Sequence, residues 1–187
     1  YRQVVSHGFV LDVKLGVYVW FYKRVQRRNK LMKQKGADLL RLWVASVDYQ
    51  ADVRISNDMM TQVAESYRKI RNTIRFILGN ISDFDPKKDY VTFEDRGEIN
   101  KVMTIKYHQL SNQVVDAYDH YQFDKVYRSV VSFMTNQLSA FYLDYTKDIL
   151  YIESANGLIR RSVQSTLYDV LEGILKLLTP IVPHTTH

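Results

Sequence analysis

From Ser56 to the end of the chain, apolar residues recur at three- and four-residue steps, a period that leaves few architectures open. Met60, Val63, Tyr67, Ile70, Ile74 and Ile77 share one face of a helix that Ser56 or Asn57 can cap, with Asp58 near its positive end. Gly79-Asn80 should stop it, since both residues tolerate the left-handed conformation that closes helices. The polar stretch Ser82–Tyr90, with Pro86, reads as a loop. A second helix is predicted from Arg96 to Tyr121 on Ile99, Met103, Leu110, Val114, Ala117 and Tyr121. A third begins near Asp124 with Tyr127, Val130, Met134, Leu138 and Tyr142 and stops before Tyr145–Ser154. A fourth spans Asn156–Leu178 on Leu158, Val163, Leu167, Val170, Leu171 and Ile174, and Pro180 ends it. Four amphipathic helices joined by short connections predict a mainly α fold, an antiparallel helical bundle over residues 56–187.

Residues 1–55 differ in kind. VVSHGFVLD has the composition of a strand and GADLLRLWVAS that of a short helix, so a small α/β segment should precede the bundle. The chain opens at Tyr1 with no Met, and we expect it to be a piece of something longer. It has no cysteine, which removes disulfides and thiolate chemistry. No uncharged run approaches a membrane span, so no membrane partner is expected.

The formal charge of +6 is unevenly placed. Lys14 to Lys35 holds eight basic residues and no acidic one, and the remainder sums to −2. Such a balance argues for local patches and against a basic domain. One patch lies on the first long helix. Arg68, Arg71 and Arg75 fall within about 60° of one another and about 100° from the apolar centre. A helix that only fills a core has no need of them. A solvated face is the simplest account, yet Phe76, opposite the apolar stripe beside Asn72, implies that this helix meets a second element.

Several segments then carry a resemblance. HGFVLD (7–12), GADLLRLWVASVDY (36–49), DVRIS (52–56), YRKIRNTIRFILGN (67–80) and DFDP (83–86) follow in the order found in class I isoleucyl-tRNA synthetases. LSAFYLDYTKDILYIE (138–153), RRSVQSTLYDVL (160–171) and LLTPIVPHT (177–185) continue the match. Valyl and leucyl relatives share the architecture, and YRKIRNTIRFILGN with SAFYLD resembles the isoleucyl type. The resemblance implies that residues 1–55 are the end of the catalytic nucleotide-binding domain and its junction. It implies that residues 56–187 are the α-helical anticodon-binding domain, with tRNA and the missing catalytic and editing domains as partners. Arg68, Arg71 and Arg75 are then candidates for tRNA phosphate contact, followed by Arg160 and Arg161. The alternative is a bundle whose basic stripe docks intramolecularly and binds no RNA. A cytoplasmic location is implied as well, and surfaces left by the missing domains should favour self-association.

The departures matter equally. The family carries a Lys-Met-Ser-Lys-Ser loop soon after HGFVLD, whose lysines neutralise ATP phosphates. Here the interval is VKLGVYVWFYKRVQRRNK, Val13 to Lys30, of similar length and unrelated wording. Compensating reading-frame changes would produce that, as would divergence into a surface where Tyr18, Trp20, Phe21 and Tyr22 stand beside Lys23, Arg24, Arg27 and Arg28. No adenylation motif, editing domain or zinc-binding segment is present, so ATP and zinc are implied only for a full-length enzyme. This chain alone is expected to be inactive, with no catalytic residue and no cofactor. His184-x-x-His187 lacks a third metal ligand, and His7 is expected to be structural. Asp83 and Asp85 flank a proline turn where they should bond local backbone. Phe141, Tyr142, Tyr145 and Tyr151 are expected in core and helix-junction packing, with Trp43 packed at the domain junction.

Overall fold

The computed structural model describes residues 10–12, 36–49, 53–55 and 57–187. His7, the Ser56 cap, the interval 13–30 and the first part of the expected strand lie outside them. Two short strands, β1 (Val10–Asp12) and β2 (Val53–Ile55), pair in parallel with Leu11 opposite Arg54. Parallel neighbours need a crossover, and α1 (Ala37–Ser46) lies within it. The remaining elements are α2 (Asn57–Asn80), α3 (Glu98–Asp119), α4 (Phe123–Ser132), the π-helical segment π1 (Phe133–Leu143), α5 (Asp144–Ile152), α6 (Leu158–Leu178) and α7 (Pro183–Thr186). The chain is a mainly α bundle.

The long helices bury most of the stripe their period predicts. Met60, Val63, Ile70, Ile74 and Ile77 of α2 meet Met103, Leu110, Val114 and Ala117 of α3 and Val163, Leu167, Val170 and Ile174 of α6 in one core. Leu39, Leu42 and Trp43 of α1 belong to the same core, so α1 is packed into the bundle. Phe76 is half-buried against it too, which explains an aromatic ring off the main stripe. Two positions depart from expectation: Leu158 stands exposed at the start of α6, and Tyr121 stands exposed beyond the end of α3.

The third helix does not stop before Tyr145. It passes from α4 through π1 into α5 with right-handed helical backbone at both junctions, Phe133 and Asp144. No Gly or Pro interrupts residues 123–156, so nothing local ends the helix earlier. Seven of its buried positions recur at strict steps of four, Val126, Val130, Met134, Leu138, Tyr142, Thr146 and Leu150, with Phe133 and Leu143 buried beside them. In a regular α-helix each such step drifts by about 40°, which would carry Tyr142 to roughly the opposite face from Val126. The wider π turn, with i→i+5 bonds and roughly 4.4 residues per turn, drifts the other way and holds the stripe on the core. Tyr142 is accordingly the largest fully buried side chain among the described residues, whereas Phe141, Tyr145 and Tyr151 are exposed. The expected aromatic core cluster is therefore one residue, because only one of the four falls on the four-step stripe.

Helix ends are closed in unexpected ways. α2 stops at Asn80 as expected, but without a left-handed residue. Asn80 Nδ2 donates to the Phe76 carbonyl at 2.8 Å, and Gln164 Nε2 donates to the Asn80 carbonyl at 2.8 Å. The left-handed closure belongs to α3, where Tyr121 has φ 57° and Gln122 N–H bonds the Ala117 carbonyl at 2.7 Å.

Candidate nucleic-acid interface

The geometry of α2 keeps Arg68, Arg71 and Arg75 outside the core, and all three are exposed. Their guanidinium groups form no ion pair with any described carboxylate. Arg71 lies over the Tyr67 ring at 5.9 Å from its centroid, a partial shield that leaves its charge unneutralised. Tyr67 is itself fixed. Its hydroxyl hydrogen-bonds Thr185 Oγ1 at 2.8 Å, and Thr185 donates to Asp38 Oδ2 at 2.7 Å. Asp38 is buried and also accepts from Arg41 at 3.2 Å. The stripe thus stands on a helix pinned to both α1 and α7 by one polar chain, and a rigid base costs less entropy on binding than a loose one.

Arg160 and Arg161 are placed elsewhere and, unlike the α2 stripe, are paired within the protein. The Arg160 guanidinium spans both carboxylate oxygens of Asp83, at 2.5 and 3.1 Å, and donates to the Leu150 and Ala155 carbonyls at 3.2 Å each. Arg161 is buried and donates to the Asp83 carbonyl at 3.0 Å and to Gln164 Oε1 at 2.8 Å. It also lies 3.4 Å from Asp89. These residues, expected to reach RNA, are committed to the loop after α2, because a charge out of water must be paired to be tolerated. Asp85 does bond its own turn, accepting from Lys87 N–H at 3.0 Å. Asp83 instead reaches across to α6.

The pairing shows in the acidity of Asp83. Chiefly through the Arg160 hydrogen bond, helped by Gln164 and opposed by burial, its carboxyl is lowered to about 2. A depressed folded-state value means that Asp83 contributes stability fully above about pH 4 and loses it as pH falls toward 2. Because the side chain is 40% exposed, water screens the contribution. Thermal melts between pH 2 and 6 should show Asp83→Asn flattening this acid limb, and an unchanged limb would mean that the pair carries no stability.

A second clamp holds the rest of the loop, and no period in the sequence announces it. The Arg96 side chain is 1% exposed and pairs with Asp169 Oδ2 at 2.7 Å. It also donates to the Val91 carbonyl at 3.0 Å and to Thr104 Oγ1 at 3.3 Å. The Tyr90 ring covers its guanidinium at 5.1 Å, and the Tyr90 hydroxyl donates to Asp169 at 2.9 and 3.1 Å. Burial and the adjacent Asp169 raise the Tyr90 phenol above its ordinary value, so it stays a donor. The one sequence cue was an arginine just ahead of a helix, where its charge opposes the helix dipole and a buried carboxylate partner must compensate.

Comparison with known proteins agrees with this architecture. Residues 100–187 match the family described as the anticodon-binding domain of tRNA ligase. The isoleucine–tRNA ligase of Acholeplasma laidlawii is 54% identical over 186 residues, covering 100% of this chain and 21% of that protein. The isoleucine–tRNA ligase of Streptococcus pyogenes is 52% identical over 186 residues, covering 100% of this chain and 20% of that protein. The chain therefore spans about a fifth of the length of the curated relatives it matches. In fold it is similar to the LeuRS of Agrobacterium radiobacter, seen in a ternary complex with tRNA and LeuAMS. That likeness has a TM-score of 0.71 at 14% identity and covers 96% of this chain and 20% of that one. No described helix is long and apolar enough to cross a membrane. Over its whole length this chain is similar to isoleucine–tRNA ligases, and its residues 100–187 match the anticodon-binding domain of tRNA ligase.

Proposed function

We propose that this chain is the tRNA-docking module of an isoleucyl-tRNA synthetase, receiving the anticodon stem and loop on its helical bundle. The observation that carries this reading is the α2 stripe: three exposed arginines on one face, without a carboxylate partner among the described residues. Arginine contacts to phosphate supply affinity and orientation without reading sequence. We assign Arg68, Arg71 and Arg75 that role and give Arg160 and Arg161 an indirect one, fixing the loop between α2 and α3.

In the complete enzyme, which would attach isoleucine to its tRNA with ATP in the cytoplasm, this docking joins anticodon recognition to acceptor-end chemistry. On this reading residues 1–55 form the junction to the catalytic domain and residues 56–187 the tRNA-facing unit. Zinc fits none of the described residues, which include no group of three candidate ligands, and the chain has no cysteine. The ligation step likewise belongs to other segments of the enzyme.

Charge reversal at Arg71 tests the reading. Binding of isoleucine tRNA to the Arg71→Glu variant should weaken at least tenfold at low salt. The slope of affinity against salt should fall by one to two counterions, while the melting temperature stays nearly constant. Unchanged RNA binding with looser packing of α1 would instead assign the stripe to intramolecular docking, since Arg71 rests on the Tyr67–Thr185–Asp38 chain.

A further inference from the structure

The outer face of the continuous helix is apolar where water should favour charge. Behind the buried stripe of Leu138, Tyr142, Thr146 and Leu150, the end of π1 and α5 turn Phe141, Tyr145, Tyr151 and Ile152 outward. The Arg160 guanidinium donates to the Leu150 carbonyl and so brings the start of α6 beside the end of α5, where Leu158 and Ile159 extend the patch. All six side chains are between 46% and 80% exposed. We infer that this face is the contact between two copies of the chain, packed antiparallel about a two-fold axis near Asp148.

Spacing and extent both fit a helix-to-helix contact. Phe141, Tyr145, Asp148 and Ile152 follow one another at steps of four, three and four, the interval of a seam between two helices. At roughly 200 Å² for a fully exposed side chain of this size, the six leave on the order of 600–700 Å² on each copy, more than a monomer commonly shows in one patch. Two such faces would together bury about 1,200 Å², enough for a specific interface of ordinary size. An RNA strand suits the face poorly, because Asp148 stands exposed at its centre and would repel phosphate.

The charges select a second copy as the occupant. In a two-fold contact, a residue that meets a second residue across the axis is answered by the reverse pair, so a face fits itself only if its charges run in complementary order. Here they do. At the Phe141 end, Lys106 donates to Gln137 and holds its Nζ 5.8 Å from the centre of the Phe141 ring, with no carboxylate partner among the described residues. At the other end stands Glu153, exposed and without an ion pair among the described residues. Reversing one copy about Asp148 lays the Glu153 end of each against the Phe141 end of the other, which brings Glu153 to Lys106 twice. Near the axis, Lys147 of each copy comes beside Asp148 of the other. Lys147 already pairs with Asp144 at 2.8 Å, and Asp148 has no such partner among the described residues.

The test is sedimentation of the full 187-residue chain over a concentration series from about 1 to 200 µM. The mass should climb from 22.1 kDa toward twice that value. Ile152→Asp, at a side chain 80% exposed, should weaken the dimer at least about tenfold without changing the helical content. Lys106→Glu and Glu153→Lys should each weaken it by setting like charges together. An equimolar mixture of those two variants should recover the dimer, because each copy then offers the charge that the other lacks. A chain that stays at 22.1 kDa throughout overturns the inference and leaves the face to another occupant, such as a further segment of a longer enzyme. A dimer that survives Ile152→Asp overturns it too, since the contact then lies elsewhere. So does a mixture no tighter than its components, since the two copies are then not antiparallel.

Discussion

Truncating Tyr142 to alanine should destabilise this protein by about 4 kcal/mol, more than any other single substitution considered. The ring is fully buried at the middle of the bundle, and its removal leaves a cavity that the surrounding helices cannot close. Its hydroxyl donates to Asn100 Oδ1 at 2.7 Å, and Asn100 in turn donates to Ser162 Oγ at 2.7 Å. Burial pushes the Tyr142 phenol far above its ordinary value, so it remains a donor at every working pH. The lost bond thus adds to the cavity. For a chain of this length about 4 kcal/mol corresponds to a fall in Tm of roughly 8–16 °C. Tyr142→Phe separates the two parts, retaining the ring and costing about 1–2 kcal/mol for the orphaned Asn100 acceptor. The experiment also tests the π segment. A regular α-helix would turn Tyr142 toward solvent, and alanine would then cost little. Chemical denaturation showing less than about 0.5 kcal/mol would therefore sink both the burial and the π geometry behind it.

The second large effect is expected at Arg96. Replacement by methionine keeps most of the side-chain volume and removes the charge. Breaking a buried ion pair typically costs about 3–5 kcal/mol, because the abandoned partner stays desolvated. Asp169 is 26% exposed and keeps the Tyr90 hydroxyl, so the lower end, about 3 kcal/mol, is expected. The Val91 carbonyl and Thr104 hydroxyl lose a donor as well. Asp169→Ala in the Arg96→Met background should cost much less than Asp169→Ala alone, a coupling of at least 1 kcal/mol in a double-mutant cycle. Additive effects would mean that the pair is incidental to the loop's position. Since Arg96 and Asp83 anchor the two ends of the segment between α2 and α3, the same variant should also loosen protection of residues 82–97 in hydrogen exchange.

The loop clamps show where reading a sequence stops. Arg160 and Arg161 open a helix and are followed by polar residues, a pattern that fits a solvated or RNA-facing surface as well as any other. Whether an arginine faces solvent or a carboxylate depends on what lies 77 residues earlier in the chain, and Asp83 lies there, opposite Arg160. Periodicity carries no information across that distance. The Arg68, Arg71 and Arg75 stripe is different, since its exposure follows from the same helical turn that buries Ile70 and Ile74.

The helices, their apolar stripes and most of their ends were legible from residue order alone, because these depend on i, i+3 and i+4 relations within a single helix. Residue order also carried the likeness to isoleucyl-tRNA synthetases, through ordered segments such as YRKIRNTIRFILGN and LLTPIVPHT. One signal was present and unused: the strict four-residue repeat from Val126 to Leu150, which no α-helix can keep on one face. That a π segment reconciles this repeat follows from packing against the other helices, because the alternative would expose Tyr142 and Leu150 to water. Tertiary structure alone decided which arginines are paired, since burying a charge is tolerable only when distant elements bring a partner to it. The outer face of α5 belongs to the same class of fact. Tyr145 and Tyr151 have the composition of core residues, and they stand exposed because the continuous helix turns Tyr142, Thr146 and Leu150 inward.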